Sequence, residues 1–106
     1  LGKLSDKDLV DVDVTKKTIT ALSKRIQDRD GEVLKGFNGQ NCANSLWALG
    51  KLSEKDLVDV DVTKKTITAL SKRIQDRDGE VLKDFNGQEC ANSLWALGKL
   101  IEIIHV

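Results

Sequence analysis

The chain repeats itself. Shifting its 106 residues by 48 lays 1–48 over 49–96 with three differences, Asp6/Glu54, Gly36/Asp84 and Asn41/Glu89. The match runs on through Leu100 and stops where Ile101 stands against Ser53. A repeat of this length is one supersecondary unit that cannot bury its apolar face alone, and copies bury it by stacking. The expected fold is therefore all-α: an α-solenoid of tandem 48-residue helical hairpins. Repeat 1 covers 1–48 and starts inside a truncated helix; repeat 2 covers 49–96; residues 97–106 form a helix extension and tail. The opening Leu1-Gly2-Lys3-Leu4 repeats a helix end, so the chain reads as cut from a longer protein.

Each unit reads as helical. The chain has no proline, which removes one helix breaker. In FNGQNCANSLWALGKL, residues 37–52, Asn38 is placed to cap a helix over about 39–51. Asn41, and Glu89 in the second copy, stand three residues on, as a capping box requires. Phe37 and Cys42 are spaced as a hydrophobic staple. Cys42, Ala43, Leu46, Trp47, Leu49 and Gly50 share one face, with both tryptophans expected in the core and Gly50 letting a neighbouring helix close in.

A second helix is expected from Asp13, with Val14, Thr18, Ile19, Ala21, Leu22 and Ile26 on its apolar side. Its end is open between Gly31 and Leu34. Ser53-Glu54-Lys55-Asp56-Leu57-Val58 has the S-x-x-D pattern of a short capped helix. The tail drops Ser53 for Ile101, so the last helix is expected to run on, with Ile101 and Ile104 in phase with Leu94 and Leu97.

Lys+Arg and Asp+Glu number 17 each, so no overall charge draws the chain to nucleic acid or an acidic membrane. No apolar run reaches membrane-span length. Cys42 and Cys90 lack zinc-site spacing and read as free, buried thiols of a reducing, cytoplasmic compartment, with an upstream signal left open. No metal or cofactor is expected. Asp11-x-Asp13-x-Thr15 spells a phosphoryl-transfer motif, but it recurs at 59–63 without strand–helix alternation, so a helix cap explains it better and no enzyme is expected. Asp28-x-Asp30-Gly31 fails the frame of a calcium loop, and His105 stands alone.

The stretch CANSLWALGKL with FNGQ before it resembles the first helix of octotricopeptide-type repeats, whose phrase runs F-x-P-Q-(D/E)-(I/L)-(A/S)-N-(S/T)-L-W-A-(L/F)-(A/G)-K-L. Related units occur in organelle RNA-processing proteins, including FAST-kinase-like proteins, and in repeat proteins of intracellular bacteria. The resemblance covers 37–52 and 85–100; elsewhere only the general helix pattern fits. Gly39 and Gly87 replace the frequent proline, and the extra length of the unit lies in LSEKDLVDVDV. The resemblance implies a helical array and an RNA ligand, and a secreted effector as one setting.

Candidate ligand contacts follow. Lys16, Lys17, Lys24 and their copies Lys64, Lys65, Lys72 form a ladder if units stack, which Arg25, Arg73, Lys51 and Lys99 extend. Asp6, Asp8, Asp11 and Asp13 supply a compensating acidic segment. Asn44, Ser45 and Ala48, repeated as Asn92, Ser93 and Ala96, are expected to be the exposed strip. The expected function is an interaction scaffold for a protein partner, with an RNA-binding array as the alternative. Exposed apolar ends predict self-association.

Overall fold

The computed structural model describes residues 11–28, 31–76 and 79–104. Asp6, Asp8, the LGKL start, Asp30 and His105 lie outside the described residues. Every regular element among the described residues is helical: α1 (Val12–Ile26), α2 (Glu32–Lys35), α3 (Gly39–Glu54), α4 (Val60–Ile74), α5 (Glu80–Lys83) and α6 (Gly87–Ile104). Each unit thus contributes a long helix, a single turn and a second long helix.

The starts of the long helices are set by short polar side chains. Asp11 caps α1 by accepting from Val14 N at 3.1 Å, and Asp59 caps α4 by accepting from Val62 N at 3.0 Å. The cap is therefore Asp11 rather than Asp13, which sits exposed in the first turn beside the helix dipole's positive end. The capping box at α3 forms both ways: Asn41 N donates to Asn38 Oδ1 at 2.8 Å and Asn38 N donates to Asn41 Oδ1 at 3.0 Å. Glu89 does the same for α6, taking the Asn86 N–H at 3.0 Å.

Two expectations on local structure are corrected. The second helix does not reach Gly31; α1 stops at Ile26, with Gln27 as its C-cap, and Gly31 opens α2 with a φ of 62° that its missing Cβ permits. Nor does Ser53 begin a new short helix. It lies inside α3, where its hydroxyl donates to Gly50 O at 2.7 Å. The chain then reverses through Asp56 at φ 60° and enters α4. As expected, the last helix runs past Ile101, to Ile104.

Equivalent helices pack on one another, α1 with α4 and α3 with α6. The core between them holds Cys42, Leu46, Leu49, Val58, Leu70, Val81, Ala96 and Leu100, with Phe37, Ile67 and Phe85 against it. The tightest contact is α3 on α6. A Cβ built on Gly50 would stand 3.0 Å from Ala96 Cα and 3.2 Å from Trp95 Cζ3, so glycine is what permits this approach. At the start of α3 a Cβ on Gly39 would meet Asp84 Cβ at 2.9 Å.

Polar groups bind the same junction. Thr66 Oγ1 donates to Ser23 O at 3.2 Å, across α1 and α4. Arg73 donates to Phe37 O and Lys35 O, each at 3.0 Å, satisfying carbonyls that the end of α2 leaves free. Lys99 meets Glu54 at 3.6 Å.

Identical sequence therefore has unequal burial. Leu46 is 0% exposed and its copy Leu94 71%; Leu70 is 0% exposed and its copy Leu22 61%. The internal junction covers one face of the first unit and the opposite face of the second.

Candidate binding surface

The candidate lysines lie on neighbouring helices, Lys16, Lys17 and Lys24 on α1 and Lys64, Lys65 and Lys72 on α4. All are exposed except Lys16, which is half-buried. They do not form an uninterrupted basic strip. Lys16 and Lys17 share a shallow groove of about 240 Å³ with Asp13, Thr20 and Asp59, so acid and base alternate there. Arg73, expected to extend the ladder, instead serves the junction, with Asp76 at 3.3 Å. Two open depressions of about 440 and 380 Å³ flank it and are seams of that junction.

The strip expected to be exposed on α3 and α6 divides. Asn44 and Ala48 are exposed and Ser45 is half-buried. In the second unit Asn92 is half-buried, while Ser93 and Ala96 are buried. Ala96 stands against Gly50, and Ser93 Oγ has no hydrogen-bond partner among the described residues. These two places use small size, not polarity, and as placed they face no ligand. The physical reason is that α6 is covered by α3 on the side where α3 itself is open.

The tryptophans are not core residues. Trp47 is 42% exposed and Trp95 37%. Trp95 sits at the rim of the α3–α6 contact, where its ring roofs the Gly50–Ala96 approach. Lys51 Nζ lies 5.5 Å from the Trp47 ring centre and 5.2 Å from that of Trp95; Lys99 Nζ lies 5.9 Å from Trp95. Ammonium groups at these distances are drawn to the ring faces. Glu54 is shared by Lys51 at 3.8 Å and Lys99 at 3.6 Å. The result is a row, Trp47–Lys51–Trp95–Lys99, crossing both units. Its trace in the sequence is the i,i+4 spacing of Trp and Lys, which places them together on a helix surface.

The thiols differ as their surroundings do. Cys42 is buried, and burial pushes its thiol up to about 11, against the lowering pull of Arg73. Cys90 is exposed, which corrects the expectation that both would be buried. Alkylation at pH 8 is expected to modify Cys90 promptly and Cys42 only on opening of the fold, read by mass spectrometry of the digested protein. Because the folded form holds the Cys42 proton more tightly, its contribution to stability is present below about pH 9 and is lost as pH rises toward about 11.

Among the described residues no three His, Cys, Asp or Glu side chains gather as metal ligands, and no helix is long and apolar enough to cross a membrane. Asp11 and Asp59 of the D-x-D-x-T stretches act as caps. No protein family, curated protein or solved structure matches the chain.

Proposed function

We propose that the chain is a helical-repeat binding module, a short α-solenoid of two units that serves as an interaction scaffold for a protein partner. The observation that carries this reading is the row Trp47–Lys51–Trp95–Lys99, two half-exposed rings with cations beside them, presented by equivalent places of both units. Large rings half out of water are the residues that anchor protein interfaces. The cations beside the rings are matched by acid, Glu54 serving Lys51 and Lys99, and away from the rings Asp13 and Asp59 stand beside Lys16 and Lys17. A surface balanced in this way suits a mixed-charge partner better than a polyanion.

The test uses a photo-reactive crosslinker attached at position 44, beside the row, in nuclease-treated lysate. A discrete protein adduct is expected from the wild-type rings and its loss from the Trp47→Ala/Trp95→Ala variant. An adduct unchanged by the double substitution would refute the row as the contact.

An RNA-binding array is the second reading, favoured by the same rings, since exposed aromatics with adjacent cations stack bases. It also fits the octotricopeptide resemblance of residues 37–52 and 85–100. Tryptophan fluorescence decides between them. Quenching by single-stranded RNA that falls steeply with salt and disappears in Lys16→Glu/Lys64→Glu would establish RNA. Fluorescence unmoved by RNA at low salt is the outcome expected for a protein scaffold.

A further inference from the structure

We infer that molecules of this protein stack head to tail, the far face of α6 in one copy receiving the near face of α3 in the next, in the geometry of the internal junction. The inference rests on the packing of α3 on α6 and of α1 on α4, and holds whatever partner the tryptophan row takes.

The chain leaves both halves of its own junction exposed. The face that α3 buries against α6 is open on α6: Cys90, Ala91, Leu94 and Gly98 are exposed where Cys42, Ala43, Leu46 and Gly50 are buried. The face that the second unit buries is open on the first. Thr18 and Leu22 on α1 and Ala48 on α3 are exposed where Thr66, Leu70 and Ala96 are buried. These surfaces are not merely apolar. They are the two sides of an interface that already exists once within the chain.

Four specific contacts of the internal junction have counterparts on the open faces. Adding 48 to the first-unit residue and subtracting 48 from the second-unit residue converts an internal pair into an intermolecular one. Gly50 against Ala96 becomes Gly98 against Ala48, and Gly98 has nothing within 4 Å of a built Cβ. Arg73 on Phe37 O and Lys35 O becomes Arg25 on Phe85 O and Lys83 O; among the described residues Arg25 pairs with Asp28, at 3.0 Å. Thr66 on Ser23 O becomes Thr18 on Ser71 O. Lys99 on Glu54 becomes Lys51 on Glu102, which the tail preserves although the repeat has otherwise ended.

Two departures shape the junction. Gly36 stands where the internal junction has Asp84, which widens the approach to Gly87. Ile101 stands where the internal junction has Ser53, which removes the hydroxyl that bonds back to Gly50 O. The contact is heterologous, so each added copy presents the same open face again and association passes beyond two chains.

Sedimentation velocity from micromolar to millimolar protein tests this, with two arginine variants. Gly98→Arg blocks the tail face and Ala48→Arg the head face. Both sites are exposed helix positions, and unchanged circular dichroism confirms the folded state of each. Wild type is expected to grow past two chains with concentration, and each variant alone to associate about tenfold more weakly or not at all. An equimolar mixture of the variants is expected to give a one-to-one dimer, because the open tail of Ala48→Arg fits the open head of Gly98→Arg. A wild type that is monomeric at millimolar concentration, or that stops at a closed dimer, overturns the inference. So does a variant that associates as wild type does, or a mixture that stays monomeric.

Discussion

Leu46→Ala is expected to lower the unfolding free energy by about 2–5 kcal/mol, while Leu94→Ala changes it by no more than about 0.5 kcal/mol. The two leucines occupy the same place in the repeat, in the same local sequence. Intrinsic helix propensity and unfolded-state effects therefore cancel in the comparison. What remains is environment: Leu46 is enclosed in the core with Leu70 and Leu100, and Leu94 faces outward. Removing Leu46 strips apolar contact and leaves a cavity that the rigid α3–α6 contact cannot close. Urea unfolding at dilute protein, where intermolecular stacking is absent, measures both. Equal losses would show that the two units are not stacked as described.

The second contrast reverses sign. Gly50→Leu is expected to cost about 2 kcal/mol, because even its Cβ stands 3.0 Å from the Ala96 backbone and the rest of the side chain must displace α6. Gly98→Leu is expected to stabilise the folded chain by about 0.8 kcal/mol, since nothing lies within 4 Å of a built Cβ and leucine is a far better helix former than glycine. Thermal unfolding at low protein concentration reads both. Destabilisation by Gly98→Leu, or tolerance of Gly50→Leu, would contradict the placement of these helices.

Much of this architecture is legible in the sequence, for physical reasons that also mark where legibility stops. Asn38 and Asn86 announce helix starts because capping is local: donor and acceptor lie within three residues. Gly50 in the middle of an apolar face announces close approach because nothing else justifies its poor helix propensity. Ser53-x-x-Asp56 misleads because serine can either cap a new helix or bond back to its own, and only the path of the chain through Asp56 decides. Trp47 and Trp95 mislead because a large apolar ring counts fully toward a helical face even at the face's edge, where it is half-wet. Ser93 and Ala96 show the deepest limit. Periodicity marks the Cys90–Leu94 side of α6 as its buried face, whereas the side that α3 covers is made largely of small residues that no apolar pattern reveals.

The row of two rings has a consequence for selectivity. Trp47 has one ammonium neighbour, Lys51, and Trp95, one helix away, has two, Lys51 and Lys99. A ligand small enough to cover one ring has two places to sit, and the one at Trp95 carries the second ammonium. A ligand long enough to cover both gains far more, because once the first ring is engaged the second is met at high effective concentration. Such a surface sorts ligands by reach before it sorts them by chemistry, and each added unit would sharpen the sorting.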